Sequence, residues 1–395
     1  MRRVMATVLV AGMVISPVGF PMAAVAQQSA GNGTFTLKVN SNIVLTNVIV
    51  RDKKTGALIT GLKPSDFTVL ENGRPQKIAS FDYENVDEAA VLAESRTVSG
   101  TSSTKIADLV NGNFASSPEA LKDHRLIVMF FDLSSMQPED IERAVDAAKD
   151  YINNKMAPAD LVAMVSLSGG LSMDQDFTAD KDALLKTLGK YDGTESTGFD
   201  LGSEGGGTDA TSDDSSSFVA DDSEFNALNT DRQLFAIRTI AKSLEKVEEK
   251  KSMLYFSGGL TRQGIENEAS MRSATNEAVK ANMAIYAVDT RGLQALPPVG
   301  DASKGSLRGT AAYSGAAMQG QLNSNFSSQE TLGTLASDTG GKLFVDSNDF
   351  APAFQQVQHD TEAYYILGFR STDQREDGSY RHLTIKLNRQ DAKLE

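Results

Sequence analysis

Three short polar motifs follow apolar runs and carry the side chains best placed for chemistry. They are Asp132-Leu133-Ser134-Ser135-Met136 after Leu126 to Phe131, Ser257-Gly258-Gly259 after Met253 to Phe256, and Asp289-Thr290-Arg291-Gly292 after Ala284 to Val288. Continuous apolar runs of this kind are strands buried on both faces, and ligands of an open parallel sheet gather at the carboxyl ends of its strands. Two kinds of catalysis are conceivable there. Asp132 as a phosphatase nucleophile calls for a second acid two residues on, where Ser134 stands instead. A serine hydrolase needs a histidine beside Ser134 or Ser257. The 3 histidines fall before a strand (His124), on the last helix (His359) and in the tail (His382), so none is expected there. The chain has no G-x-S-x-G, no P-loop and no strand-linked G-x-G-x-x-G. A hydrolytic enzyme, phosphatase- or esterase-like and acting through Asp132 and Ser134, is the alternative to a binding function. The plainest reading is that Asp132 and Ser134 satisfy backbone donors and cap the following helix.

The elements that position these motifs alternate. After Leu126 to Phe131, Pro138 opens a helix with Ile141, Ala144, Val145, Ala148, Tyr151 and Ile152 at helical spacing. Val162 to Leu167 and Leu171 to Phe177 read as strands and Asp180 to Lys190 as a helix. A helix at about Thr230 to Lys250, capped by Thr230, leads to the strand Met253 to Phe256. A further helix, the strand Ala284 to Val288, a helix at Leu332 to Ala336, a strand at Lys342 to Val345 and a helix at Phe350 to Val357 complete the series. Such alternation demands an α/β fold, a doubly wound and mainly parallel sheet with helices on both faces.

Around this unit the pattern changes. Residues 33–83 alternate in the manner of β structure, with Glu71-Asn72-Gly73 as a hairpin turn. Residues 84–120 are polar and read as a linker, and 121–362 form the doubly wound domain. The tail, 363–395, reads as a β-hairpin turning near Asp377-Gly378. Neither β segment has enough strands to bury a face alone, so the two are expected to share one small β domain. Asp192 to Glu224 holds ten acidic residues and no Lys or Arg, the composition of a disordered insertion, and 297–328 is a Gly/Ala/Ser-rich mobile loop.

Composition limits the partners. The 395 residues are 40% hydrophobic and 23% charged, as in globular proteins, and a net charge of -14 argues against nucleic acid. With 0 cysteines, disulfides, thiol catalysis and cysteine metal sites are excluded. Residues 1–26 have Arg2-Arg3, an apolar run from Val4 to Ile15 and Ala24-Val25-Ala26 before Gln27. This is the pattern of a Sec-type signal peptide, which predicts a periplasmic or extracellular protein without a membrane span once the signal is removed.

The chain resembles the von Willebrand factor A (VWFA) fold in its order of elements and in Asp132-Leu133-Ser134. It is more closely similar to the VWFA-related domains described from Acidobacteria. That likeness rests on Val48 to Phe81, KSMLYFSGGL (Lys251 to Leu260), AIYAVDTRGL (Ala284 to Leu293), LASDTGGKLFVDSND (Leu335 to Asp349) and YYILGF (Tyr364 to Phe369). The resemblance implies a metal-ion-dependent adhesion site on the carboxyl-end rim. Its ligands would be Asp132, Ser134, Thr230 and Ser257. The site is degenerate, because Met136 replaces a second serine and Ser257 an aspartate. Mg²⁺ prefers about six hard oxygens, so binding of Mg²⁺ or another divalent cation is expected to be weak. Ser135, Met136, Gly258, Gly259, Asp289 and Arg291 would contact an unidentified protein partner. The expectation is an exported protein-protein interaction or adhesion module and not an enzyme.

Overall fold

The computed structural model describes residues 43–86, 121, 124–191, 222–262, 264–293, 316–373, 375 and 381–394. The alternating N-terminal segment forms β1 (Ile43–Val48), β2 (Val50–Asp52), β3 (Phe67–Glu71), β4 (Arg74–Gln76) and β5 (Ile78–Asn85). Asn72 and Gly73 take φ of 49° and 78°, as the tight β3–β4 turn requires.

The apolar runs form β6 (Arg125–Phe131), β7 (Asp160–Leu167), β9 (Lys251–Ser257) and β10 (Met283–Asp289), every residue of which is buried. β8 (Leu171–Thr178) and the short β11 (Leu343–Phe344) complete the sheet, in the order β11-β10-β9-β6-β7-β8. All neighbours are parallel except β8, which runs antiparallel to β7. Chain order reverses between β6 and β9, so these two strands flank the topological switch point. This is the doubly wound α/β arrangement.

Among the described residues, six α-helices cover the two faces. Ile127, Met129 and Phe131 pack under α1 (Pro138–Asp150), α2 (Lys181–Leu188) and α6 (Ala351–Thr361). Leu126, Val128 and Phe130 pack under α3 (Asp222–Ser243), α4 (Gly264–Lys280) and α5 (Ala316–Asp338). Two expectations are corrected here. α3 begins at Asp222, eight positions before the expected Thr230 cap, so residues 222–224, expected within the disordered insertion, are helical. Residues 316–328, expected within a mobile loop, are helical and belong to α5. The acidic stretch 192–221, the loop residues 294–315, the signal segment and 87–120 lie outside the described residues.

The tail closes the small β layer. β12 (Ala363–Arg370) lies between β1 and β5, antiparallel to both. β13 (Leu383–Leu387) pairs with β3, and β14 (Ala392–Leu394) pairs with β2. The tail is therefore not a hairpin, since β12 and β13 belong to different sheets and N-terminal strands supply the partners of both. Val48, Val50, Phe67, Val69, Tyr365, Leu367 and Phe369 form the shared core. The Tyr365 hydroxyl donates to the Ile59 carbonyl (2.9 Å) and accepts from the Leu62 amide (3.2 Å).

Polar contacts at the amino end of the central sheet join the layers. Arg125 and Asp160 are fully buried and paired at 2.5 Å. Asp160 also accepts from Tyr151 (2.6 Å), the Ala157 amide (2.8 Å) and Gln358 (3.2 Å), while Arg125 Nε donates to Thr361 (2.7 Å). Arg51 donates to the His359 carbonyl, and Asn47 to Asn282. Removing one partner of a buried pair strands the other charge. Asp160→Ala is thus expected to lower unfolding free energy by about 3–5 kcal/mol, read from urea denaturation of the full chain. A loss below about 1 kcal/mol would show that water reaches Arg125.

Candidate functional site

Burial of β6 to its last residue carries Asp132 beneath the surface at the switch point. Its side chain has no solvent exposure. The Asp132 amide donates to the Phe256 carbonyl (2.9 Å), and Ser134 N to the Leu167 carbonyl (2.9 Å). The loop after β6 is thereby stitched to the strands on either side.

Five side chains converge on the Asp132 carboxylate. Ser134 Oγ donates to Oδ1 at 2.6 Å. Oδ2 receives Ser135 Oγ at 2.7 Å, Gln233 Nε2 at 2.5 Å, Tyr255 OH at 3.1 Å and Ser257 Oγ at the longer 3.4 Å. A second tier fastens these groups. Ser135 Oγ accepts from the Gly258 amide (2.9 Å) and lies 3.3 Å from Ser257 Oγ. Gln233 also donates to the Gly259 carbonyl at 3.1 Å. Gly258 is required sterically, because a Cβ there would stand 2.0 Å from the Ser135 carbonyl oxygen. Burial pushes the Asp132 carboxyl above the usual carboxylate range, opposed by its hydrogen bonds, and raises the Tyr255 phenol well above its ordinary value.

Among the expected metal ligands, Asp132, Ser134 and Ser257 do share this cluster. Thr230 lies inside α3 and donates to the Thr261 carbonyl at 2.5 Å. The helix reaches Asp132 one turn later, through Gln233. The expected partner rim is largely interior. Met136 is 3% exposed and packs in the apolar layer with Leu133 and Ile141, since the chain turns inward there to start α1. Ser135, Gly258, Gly259 and Asp289 are buried as well. Arg291 is half-buried and clamps Asp289 at 2.9 and 2.7 Å, then donates to Asn325 of α5 at 2.9 Å. Ser328 of the same helix accepts from the Leu260 amide at 2.9 Å, so α5 covers this side of the crevice. Beside it, burial raises Asp140 to about 6.

Gln233 and Tyr255 were missed by the sequence reading. Each left a trace. Gln233 is a polar residue one turn before Ile237 on the apolar face of α3, and Tyr255 is the hydroxyl-bearing member of a wholly buried strand. Buried polar groups of this kind must find partners.

The cluster offers a divalent cation one carboxylate, three serine hydroxyls, a tyrosine hydroxyl and a glutamine that presents hydrogens to Asp132. Mg²⁺ needs lone pairs from hard, preferably anionic oxygens. Oδ2 has already given its lone pairs to protein donors, so the set does not fit a tightly held ion. Among the described residues, no three His, Cys, Asp or Glu side chains group to hold a metal.

No protein-family model matches the chain, and no curated protein matches it. Solved structures do. An aerotolerance-related membrane protein from Bacteroides fragilis, carrying multiple mutations to serines, is 11% identical over 60% of this chain and 98% of its own, with a TM-score of 0.35. The conserved hypothetical protein BatB from Bacteroides thetaiotaomicron is 13% identical over 60% and 96%, with a TM-score of 0.34. An uncharacterised membrane-spanning protein from Vibrio fischeri is 14% identical over 60% and 97%, with a TM-score of 0.18. At such scores the superpositions are partial, and the fold stands on the sheet order itself. Among the described residues, no helix is long and apolar enough to cross a membrane.

Truncating Asp132 would remove one acceptor each from the Gln233 amide, the Tyr255 hydroxyl and the Ser135 hydroxyl. Asp132→Ala is expected to destabilise the chain by about 3 kcal/mol, at roughly 1–3 kcal/mol for each stranded buried group. Ser134→Ala, at a half-buried position, should cost no more than about 1 kcal/mol. Equal melting temperatures for Asp132→Ala and the parent would mean that the carboxylate organises nothing.

Proposed function

We propose that this chain is an exported, non-enzymatic protein-interaction module. In this reading its VWA-like unit uses the carboxyl-end crevice as internal structure and holds no resident divalent cation. One observation carries the proposal: the crevice's central carboxylate, Asp132, is fully buried and saturated by neutral donors. The resemblance to the VWFA-related domains of Acidobacteria supports the interaction role.

The same geometry counts against the hydrolytic alternative. A serine nucleophile must lose its proton to a base that then returns it. Here the Ser134 and Ser135 protons point at a carboxylate that solvent does not reach. His359 sits against Asp360 and Gln356 on α6, away from the crevice, and His382 precedes β13. Asp289, the other acid at the strand ends, is held by Arg291.

Two measurements test the two halves of this reading. Purified chain should give no saturable heat with Mg²⁺, Mn²⁺ or Ca²⁺ at millimolar concentration, and should hydrolyse p-nitrophenyl phosphate and p-nitrophenyl acetate no faster than buffer. Saturable cation binding lost in Asp132→Ala, or turnover lost in Ser134→Ala, would overturn the proposal. Export predicts that protein recovered from the cell envelope or medium begins at Gln27. N-terminal sequencing that finds residues 1–26 still attached would remove that part of it.

A further inference from the structure

Helix α3 turns its apolar face inward through Leu234, Ile237, Ile240 and Ala241, yet its outer face is not simply polar. Leu228 is 61% exposed and Phe235, two turns along, 57%. Arg232 lies between them, and Arg238 and the exposed Lys242 continue the same stripe at helical spacing. Leu228, Asp231, Arg232, Phe235 and Arg238 form one wall of a groove of about 400 Å³, and Ser270 and Ser273 of α4 line the other side. Exposing two large apolar side chains to water is unfavourable, at about 25 cal/mol per Å². The serines keep the groove open, because longer side chains on α4 would fill it.

We propose that this groove docks an acidic amphipathic helix of a protein partner. The argument is charge and shape. The chain as a whole carries -14, whereas in the lining of this groove Arg232 and Arg238 outnumber Asp231, which already accepts from Asn267 at 2.9 Å, so an occupant with apolar anchors between carboxylates is favoured over a basic one. The walls are helices whose backbone groups are already bonded, which leaves no edge for an added strand and suits ridges packing into a groove. A concave site with seryl side chains on one wall favours an inserted side chain over a flat lipid surface. Arg232 also donates to the Ser168 carbonyl at 2.8 Å, which fixes one cation at the groove's rim. None of the groove's lining residues hydrogen-bonds the Asp132 carboxylate, so failure of this proposal would leave the non-enzymatic reading intact.

The test uses the full chain and a labelled helical peptide of about 20 residues, long enough to hold a helix. The peptide carries leucines at i, i+4 and i+7 flanked by glutamates, and its control has lysines in their place. Anisotropy should show the glutamate peptide binding and weakening with salt. Phe235→Ala and Arg238→Glu should each weaken it about tenfold, the scale of one good contact. Arg238→Glu should in turn improve binding of the lysine peptide. Both substitutions lie at exposed positions, and unchanged melting curves would confirm intact folding. Equal binding of the two peptides, or binding of neither, overturns the proposal. So does a concentration-dependent dimer abolished by Phe235→Ala, which would make a second copy the occupant. Binding to phosphatidylglycerol vesicles lost in the same variant would make it a membrane surface and overturn the proposal equally.

Discussion

Strand β12 is hydrogen-bonded along both edges, to β1 on one side and β5 on the other, and it emerges directly from helix α6 on the central sheet. Neither layer can be placed without it. β1 and β5 do not pair with each other, so these two strands share a sheet only when the far end of the chain arrives between them. Its inward residues, Tyr365, Leu367 and Phe369, then meet Val48, Phe67 and Val69 in one apolar core. The buried Arg125–Asp160 pair and the Arg51 and Asn47 contacts finish the joint. Contacts this distant in sequence form late and slowly, because the loop must be closed before they contribute.

At the opposite end of the same sheet, the switch point concentrates polar groups in the place where doubly wound folds bind ligands. Here those groups face one another. Asp132 gathers hydrogens from β9, α3 and the loop after β6, and so ties three segments together. Ser257 and Met136 suit that internal role. Ser257 spares the interior a second carboxylate, and Met136 seals the apolar layer beneath α1.

Much of this was legible in the residues. The runs ending at Phe131, Phe256 and Val288 could be little else than fully buried parallel strands, and their order led to the doubly wound sheet. Asp132, Ser134 and Ser257 were placed at the right strand ends by the same reasoning. What escaped it depended on neighbours in space. Gln233 reaches Asp132 only because α3 starts at Asp222 and crosses the crevice at that turn. The opening of that helix shares its acidic composition with the stretch before it, which hides where the helix starts. The tail looked like a hairpin because two strands adjacent in sequence usually pair, but buried aromatic packing sent β12 and β13 to different sheets. The solvent status of Met136 and Gly258 likewise followed from the turn into α1, which a linear pattern does not display.

Ala363 of β12 pairs directly with Asn85 of β5. The intervening chain, including the whole central sheet, therefore leaves and returns across a single strand spacing, about 5 Å. A pull between Ile43 and Leu394 would be borne first by the short edges of the β layer. β1 against β12 and β14 against β2 would part before tension reached the parallel strands. The α3–α4 groove and the Asp132 cluster thus hang as a side loop on the mechanical path. A tether at either end of the described chain can be strained without deforming them.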